Sequence, residues 1–152
     1  MRRSAVLTLL LFTPLVFAAD PPKKDDPKKD DKSTRVTGTF VVPKEQDSFD
    51  KLTLLIQLFE YDPKSADSVA KVVDKIEIKD FKHTMGKETV EKFDLGAKGM
   101  VMDGRAYYLT LYVMDGEKRV SRGDLEHDKG LGKVLTDGQP REVKAVARSI
   151  GK

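Results

Sequence analysis

From Arg35 onward, β-branched and aromatic residues alternate with polar ones in short runs punctuated by Gly, Pro and Asp. No apolar stripe repeats at the 3.6-residue period of a helix, so the chain is restricted to an all-β fold of about seven strands. Val36 to Val42 reads as the first strand, closed by Pro43. Leu52 to Tyr61 reads as the second, apolar on parts of both faces and therefore central in its sheet. Ser65 to Ala70 reads as a helical turn, followed by strands near Val72 to Ile78 and Glu88 to Leu95. Arg105 to Met114 leads into Asp115-Gly116, read as a type I′ hairpin turn, where both central residues need positive φ. In that strand Tyr107, Leu109, Leu111 and Val113 are expected to face the core. The last strand, Arg141 to Arg148, turns Val143, Ala145 and Ala147 the same way. Short strands, a hairpin and no crossover helices predict an antiparallel β-sandwich.

Cysteine is absent. The core must therefore hold the fold without disulfides, and thiolate metal sites and cysteine nucleophiles are excluded. At the start, Met1-Arg2-Arg3 is basic, Ala5 to Phe17 is apolar apart from Thr8, Thr13 and Pro14, and Val16-Phe17-Ala18 has the spacing of a signal-peptidase site. This predicts an export signal over residues 1–19. The apolar run is shorter than the ~20 residues of a membrane-spanning helix, and no cysteine follows Ala19, so neither a transmembrane nor a lipid anchor is expected. A periplasmic or secreted product follows. Asp20 to Lys32 is almost entirely Lys, Asp and Pro, which predicts a disordered tether over 20–34 ahead of a domain over 35–152. The formal charge of +3 falls to +1 once Arg2 and Arg3 leave with the signal. With charges alternating in sign along the chain, neither a nucleic acid nor an anionic membrane is an expected partner.

The order Val36-Thr37-Gly38-Thr39, Leu52 to Leu58, then Tyr107 to Val113 running through Asp115-Gly116 to Arg122-Gly123-Asp124 resembles the YbaY/YscW-type, pilotin-like envelope lipoproteins. The resemblance implies a small Ig- or transthyretin-like β-sandwich of the bacterial envelope. Some members of that family act as pilotins that help outer-membrane components of secretion systems assemble. The family is usually lipidated, whereas this chain has no cysteine to lipidate. The Val-Thr-Gly start also resembles carboxypeptidase-regulatory-like modules, which implies the same architecture and no activity.

The densest group of ligand-type side chains is Asp124, Glu126, His127 and Asp128. Its three carboxylates make it a weak Ca²⁺ candidate, and with His127 it is the basis of an alternative reading as a small metal-dependent hydrolase, but it lacks the Asp-x-[Asp/Asn]-x-[Asp/Asn]-Gly loop. Gly130-Leu131-Gly132-Lys133 is not a phosphate loop, because His127 stands where Walker A has glycine and Val134 where it has Ser or Thr. Ser68-Val69-Ala70-Lys71 matches Ser-x-x-Lys, yet no Ser-Asp-Asn or Lys-Thr-Gly follows. His83 and His127 read as surface residues without a nucleophilic serine near them in sequence. No catalytic residue, cofactor or enzymatic activity is expected.

The outward stripe of the fifth strand, Tyr108, Thr110, Tyr112 and Met114, joined by Leu55 and Phe59 of the second, is the candidate binding surface. Exposed aromatics concentrated on one face mark interaction surfaces. The expected role is a non-enzymatic module that binds an envelope or secreted protein, with carbohydrate binding through the tyrosines as another alternative.

Overall fold

A computed structural model describes residues 32–65 and 69–151. The expected signal peptide and nearly all of the expected tether lie outside the described residues. Eight strands follow one another: β1 (Val36–Val42), β2 (Phe49–Tyr61), β3 (Lys71–His83), β4 (Thr89–Leu95), β5 (Ala106–Asp115), β6 (Lys118–Leu125), β7 (Lys133–Val134) and β8 (Glu142–Ser149). No helix occurs among the described residues, and Ser65, Val69 and Ala70 at the flanks of the expected helical turn are irregular. None of the described residues forms a helix long and apolar enough to cross a membrane.

The strands form one continuous sheet in the order β3-β2-β5-β6-β8-β1-β4, with short β7 pairing beside β5. The sheet is mixed, which corrects the antiparallel expectation: β1 pairs with β8 in parallel, Thr37 opposite Glu142 through Val41 opposite Val146. The sheet also curls until its two ends meet, a nearly closed, barrel-like form in place of two separate layers. At one end of this junction His83 of β3 and Thr89 of β4 are 2.9 Å apart, Nδ1 to Oγ1. At the other end the Gly96 N–H donates to Asp74 Oδ2 at 2.7 Å. Closure places the opposite walls in contact, with the rings of Phe40 on β1 and Phe81 on β3 6.1 Å apart.

Alternation decides what the interior holds. Leu54, Ile56 and Leu58 of β2, Tyr107, Leu109, Leu111 and Val113 of β5, and Val143, Ala145 and Ala147 of β8 are all buried. Two bulges bend the β2/β3 pair where its register shifts between Phe49 and Leu54. Lys51 and Asp80, one on each strand of this region, take positive φ (56° and 54°), the local kink by which a long strand pair curves. The β5–β6 hairpin differs from its expected form. Asp115 pairs with Lys118, so the central residues are Gly116-Glu117, and only Gly116 has positive φ (57°). Glycine at the first central position makes this type II′ rather than I′.

Residues 32–34 are drawn into the domain. Ser33 bridges Met100, the Thr34 N–H donates to the Gly99 carbonyl at 3.0 Å, and the buried Thr34 hydroxyl donates to the Gly96 carbonyl at 2.7 Å. His83 is 3 % exposed, which corrects its reading as a surface histidine. Its Nε2 lies 3.2 Å from the Gln46 carbonyl. A carbonyl only accepts, so in the neutral ring Nε2 carries the proton and Nδ1 accepts from Thr89. Gln46 Nε2 in turn donates to the buried Ser121 hydroxyl at 2.6 Å, so a polar chain closes one end of the interior.

Candidate functional site

Antiparallel register assembles the outer face row by row. One row across four strands is Glu77 of β3, Leu55 of β2, Tyr112 of β5 and Arg122 of β6, continued by Arg148 of β8. Strands lie ~4.8 Å apart, so this row is about 19 Å long. The next row carries Lys75, Gln57 and Thr110, and a third carries Val72, Phe59 and Tyr108, with Lys133 of β7 opposite Tyr108. Met114 lies opposite Thr53 and Arg119. Leu55, Phe59, Tyr108, Thr110, Tyr112 and Met114 are all half-buried on this face. The structure thus brings the candidate stripe together on one outward surface.

The rings are organised rather than scattered. Phe59 and Tyr108 stack with centroids 5.0 Å apart and planes within 7°, and Tyr61 meets Tyr108 edge-on at 5.7 Å. Burial raises the Tyr108 phenol above its usual range, with the neighbouring Tyr112 and Tyr61 adding to the shift. Arg119 places its guanidinium carbon 4.3 Å from the Tyr112 ring centroid, a cation–π contact. Val69, at the flank of the segment read as a helical turn, is almost fully exposed.

Between β5 and the loop after β6 lies a groove of about 140 Å³, lined among others by Tyr108, Thr110, Tyr112, Asp124 and Asp128. It opens where β6 leaves β5 to pair with β8 along Ser121–Leu125. The Thr110 hydroxyl oxygen is buried there with no hydrogen-bond partner among the described residues.

The acidic group is dispersed by the same alternation. Asp124 points outward from β6 and is held by two arginines, Arg122 Nε on Oδ1 and Arg148 Nε on Oδ2, both at 3.0 Å. Glu126 pairs with Lys144 at 2.8 Å. The exposed His127 lies with Nε2 2.9 Å from the Lys133 carbonyl. Asp128 accepts from the backbone N–H groups of Gly130 (2.8 Å) and Lys133 (3.0 Å). Each acidic side chain thus has its own partners, and among the described residues no three His, Cys, Asp or Glu stand close enough to share a metal ion.

Those backbone donors, Lys133 first and Gly130 next, hold the Asp128 carboxyl below its ordinary range. A carboxyl depressed in the folded chain contributes stability fully above its unfolded value, near 4, and loses it as pH falls through the lower folded value. Asp128→Ala is therefore expected to lower the melting temperature at pH 7. The gap to wild type should close as pH drops below about 4. Melting curves at pH 7 and pH 2.5 check this, and an equal gap at both would refute the role of the charged carboxylate.

A second groove, of about 340 Å³, has no counterpart among the residues singled out from sequence. It lies at the end of the barrel beside the hairpin and is lined by Phe49, Leu52, Val120 and Ile150 together with Gln46, Ser121 and Arg119. Phe49 and Ile150 fall outside the strands read from sequence. The signal that was present is the run Ser48-Phe49-Asp50-Lys51-Leu52, whose alternation resumes only after the bulge at Lys51. A third and shallower depression of about 670 Å³ crosses the outer side of β4, β1 and β8 over Gly38.

No family model matches this chain, and no curated protein matches it either. Among solved structures it is similar to an alternative pilotin from the type II secretion system of Vibrio cholerae, with a TM-score of 0.56 and 17 % sequence identity, over 78 % of this chain and 97 % of the pilotin chain. At that identity the likeness is one of fold.

Proposed function

We propose that this protein is a non-enzymatic, pilotin-like accessory of the bacterial envelope that binds a protein component of a secretion system. The binding surface is the outer face built on Tyr108 and Tyr112. The observation that carries the reading is this half-buried aromatic face on a fold shared with a pilotin. Tyrosine and arginine are enriched at protein interfaces and among their hot spots. The separate partners of Asp124, Glu126, His127 and Asp128 favour this reading over a hydrolase, because a catalytic site gathers such groups around one reacting centre. Export by the N-terminal signal belongs to the same proposal, with the domain working in the periplasm or outside the cell.

Affinity capture from an envelope extract of the host tests the reading, with the tagged domain as bait. Wild type is expected to retain a secretion-system component that Tyr108→Ser/Tyr112→Ser recovers at least about tenfold less, since truncating two aromatic side chains at the centre of an interface costs more than ~1.4 kcal/mol. Recovery of the same proteins in the same amounts by both would overturn it.

A further inference from the structure

We propose that the Tyr112 side of this face binds an acidic peptide segment, with Arg122 and Arg148 taking its carboxylates while its apolar side chains lie on the rings. This rests on the partner-binding reading above and names the chemistry of the partner.

Register brings the cations to the tyrosine. Tyr112 is opposite Arg122, and Arg122 is opposite Arg148, so a phenol and two guanidiniums stand side by side on consecutive strands. Arg119 adds a third cation over the Tyr112 ring. Among the described residues Asp124 is the carboxylate paired with Arg122 and Arg148, which leaves an excess of two positive charges among these four side chains. The Asp124 side chain is 10 % exposed, against 57 % and 58 % for the two arginines it holds. Its oxygens engage the Nε atoms. Both guanidiniums remain more than half exposed, so each still presents donors to solvent beyond its contact with Asp124.

An arginine fixed at Nε has already lost part of its side-chain freedom and still offers donors in a planar fork. That fork matches a carboxylate in two-pronged geometry. A buried anion whose two oxygens each fix one guanidinium is thus a positioning device for a second anion arriving from outside.

The surroundings select among anions. At the far end of the same row stands Glu77, paired with Lys75 at 3.0 Å, and beyond the ring stack Asp62 lies 3.6 Å from Arg105. Lys133 stands opposite Tyr108, but the cluster of three arginines that outnumbers its carboxylate lies on the Tyr112 side, and the other borders carry carboxylates beside cations of their own. A uniformly charged polyanion, whether nucleic acid or an anionic bilayer, would meet those carboxylates. A peptide with acidic residues at one end and apolar ones at the other matches both halves.

Selection from a displayed library of random dodecapeptides on the folded, purified protein tests the proposal. Wild type is expected to enrich Asp and Glu about threefold over the input library. Arg122→Gln/Asp124→Asn/Arg148→Gln, which removes all three charges together and leaves no carboxylate stranded, is expected to lose that enrichment. Asp124→Asn alone keeps both cations and should retain it. Lys44→Ala/Lys87→Ala, which removes two exposed cations elsewhere, should also retain it.

Absence of acidic enrichment on wild type overturns the proposal. So does its persistence in the neutralised triple variant, or its equal loss in the lysine control. The underlying reading is separable from it: binders without acidic bias that are lost in Tyr108→Ser/Tyr112→Ser leave the tyrosine face standing and remove the acidic ligand. Acidic binders indifferent to that double substitution remove the tyrosine face itself.

Discussion

Gly96→Ala is expected to destabilise the domain by about 3 kcal/mol, through two costs that add. Gly96 has φ +77°, the left-handed region in which a side chain costs roughly 1 kcal/mol or more. A Cβ there would also overlap the Thr34 carbonyl oxygen and come within 2.9 Å of Leu58 Cδ2, and overpacking a tight site costs ~1–3 kcal/mol. Neither neighbour yields readily. Thr34 is fastened through its N–H to Gly99 and through its hydroxyl to Gly96, and Leu58 is fully buried. Urea unfolding should show a lower midpoint with an unchanged slope. A loss below about 1 kcal/mol would mean that residues 32–34 move aside freely, contrary to the packing described.

The second large effect concerns charge left without a partner. Arg122→Ala/Arg148→Ala keeps Asp124, 10 % exposed, and removes both its cations. Breaking a buried ion pair from one side costs ~3–5 kcal/mol. With both arginines more than half exposed, about 2–3 kcal/mol is expected after allowance for solvent screening. Adding Asp124→Ala should return most of that loss, leaving the triple variant within about 1 kcal/mol of wild type, because the penalty lies in the stranded carboxylate rather than in the missing pairs. Equilibrium denaturation of the two variants decides the matter. A double variant as stable as the triple would show that Asp124 is adequately solvated on its own. A stranded Asp124 would also distort the peptide selection, and the neutralised triple substitution avoids it.

Side-chain phase was legible from sequence wherever a strand was regular. The inward sets of β5 and β8 and the span of β1 follow from alternation alone, because a period of two directly reports which side chains avoid water. Phase says nothing about which strand lies alongside or in which direction. The parallel β1/β8 pair therefore stayed invisible, and with it the curl of the sheet into a nearly closed form. Bulges defeat phase locally: the extra residues near Lys51 and Asp80 concealed the true start of β2 and the true end of β3. That in turn concealed the burial of His83, which sits on the strand beyond the kink. The group Asp124 to Asp128 looked coherent because its members are close in sequence. Asp124 lies on a strand and the others in the loop that leaves it, so alternation and chain direction send them to separate partners. The aromatic face, by contrast, needed only the phases of β2 and β5.

The place where β3 meets β4 sets how the domain breathes. The Leu109 N–H points to Gly132, so even-numbered residues of β5 bond to β2, and by the same alternation residues 74, 76 and 78 of β3 bond to β2. That leaves the backbone groups of Lys75 and Glu77 turned toward β4. The Lys75 N–H is taken by the adjacent Asp74 carboxylate at 2.9 Å. On the other side the Thr37 N–H goes to Arg141, so the groups of Val90, Lys92 and Asp94 turn toward β3. Between these facing edges there is no ladder, only the clasp of His83 with Thr89 and of Asp74 with Gly96. The sheet behaves as a split ring with a latch: its circumference can widen without breaking a single rung, and amide exchange with solvent should enter the molecule along this line first.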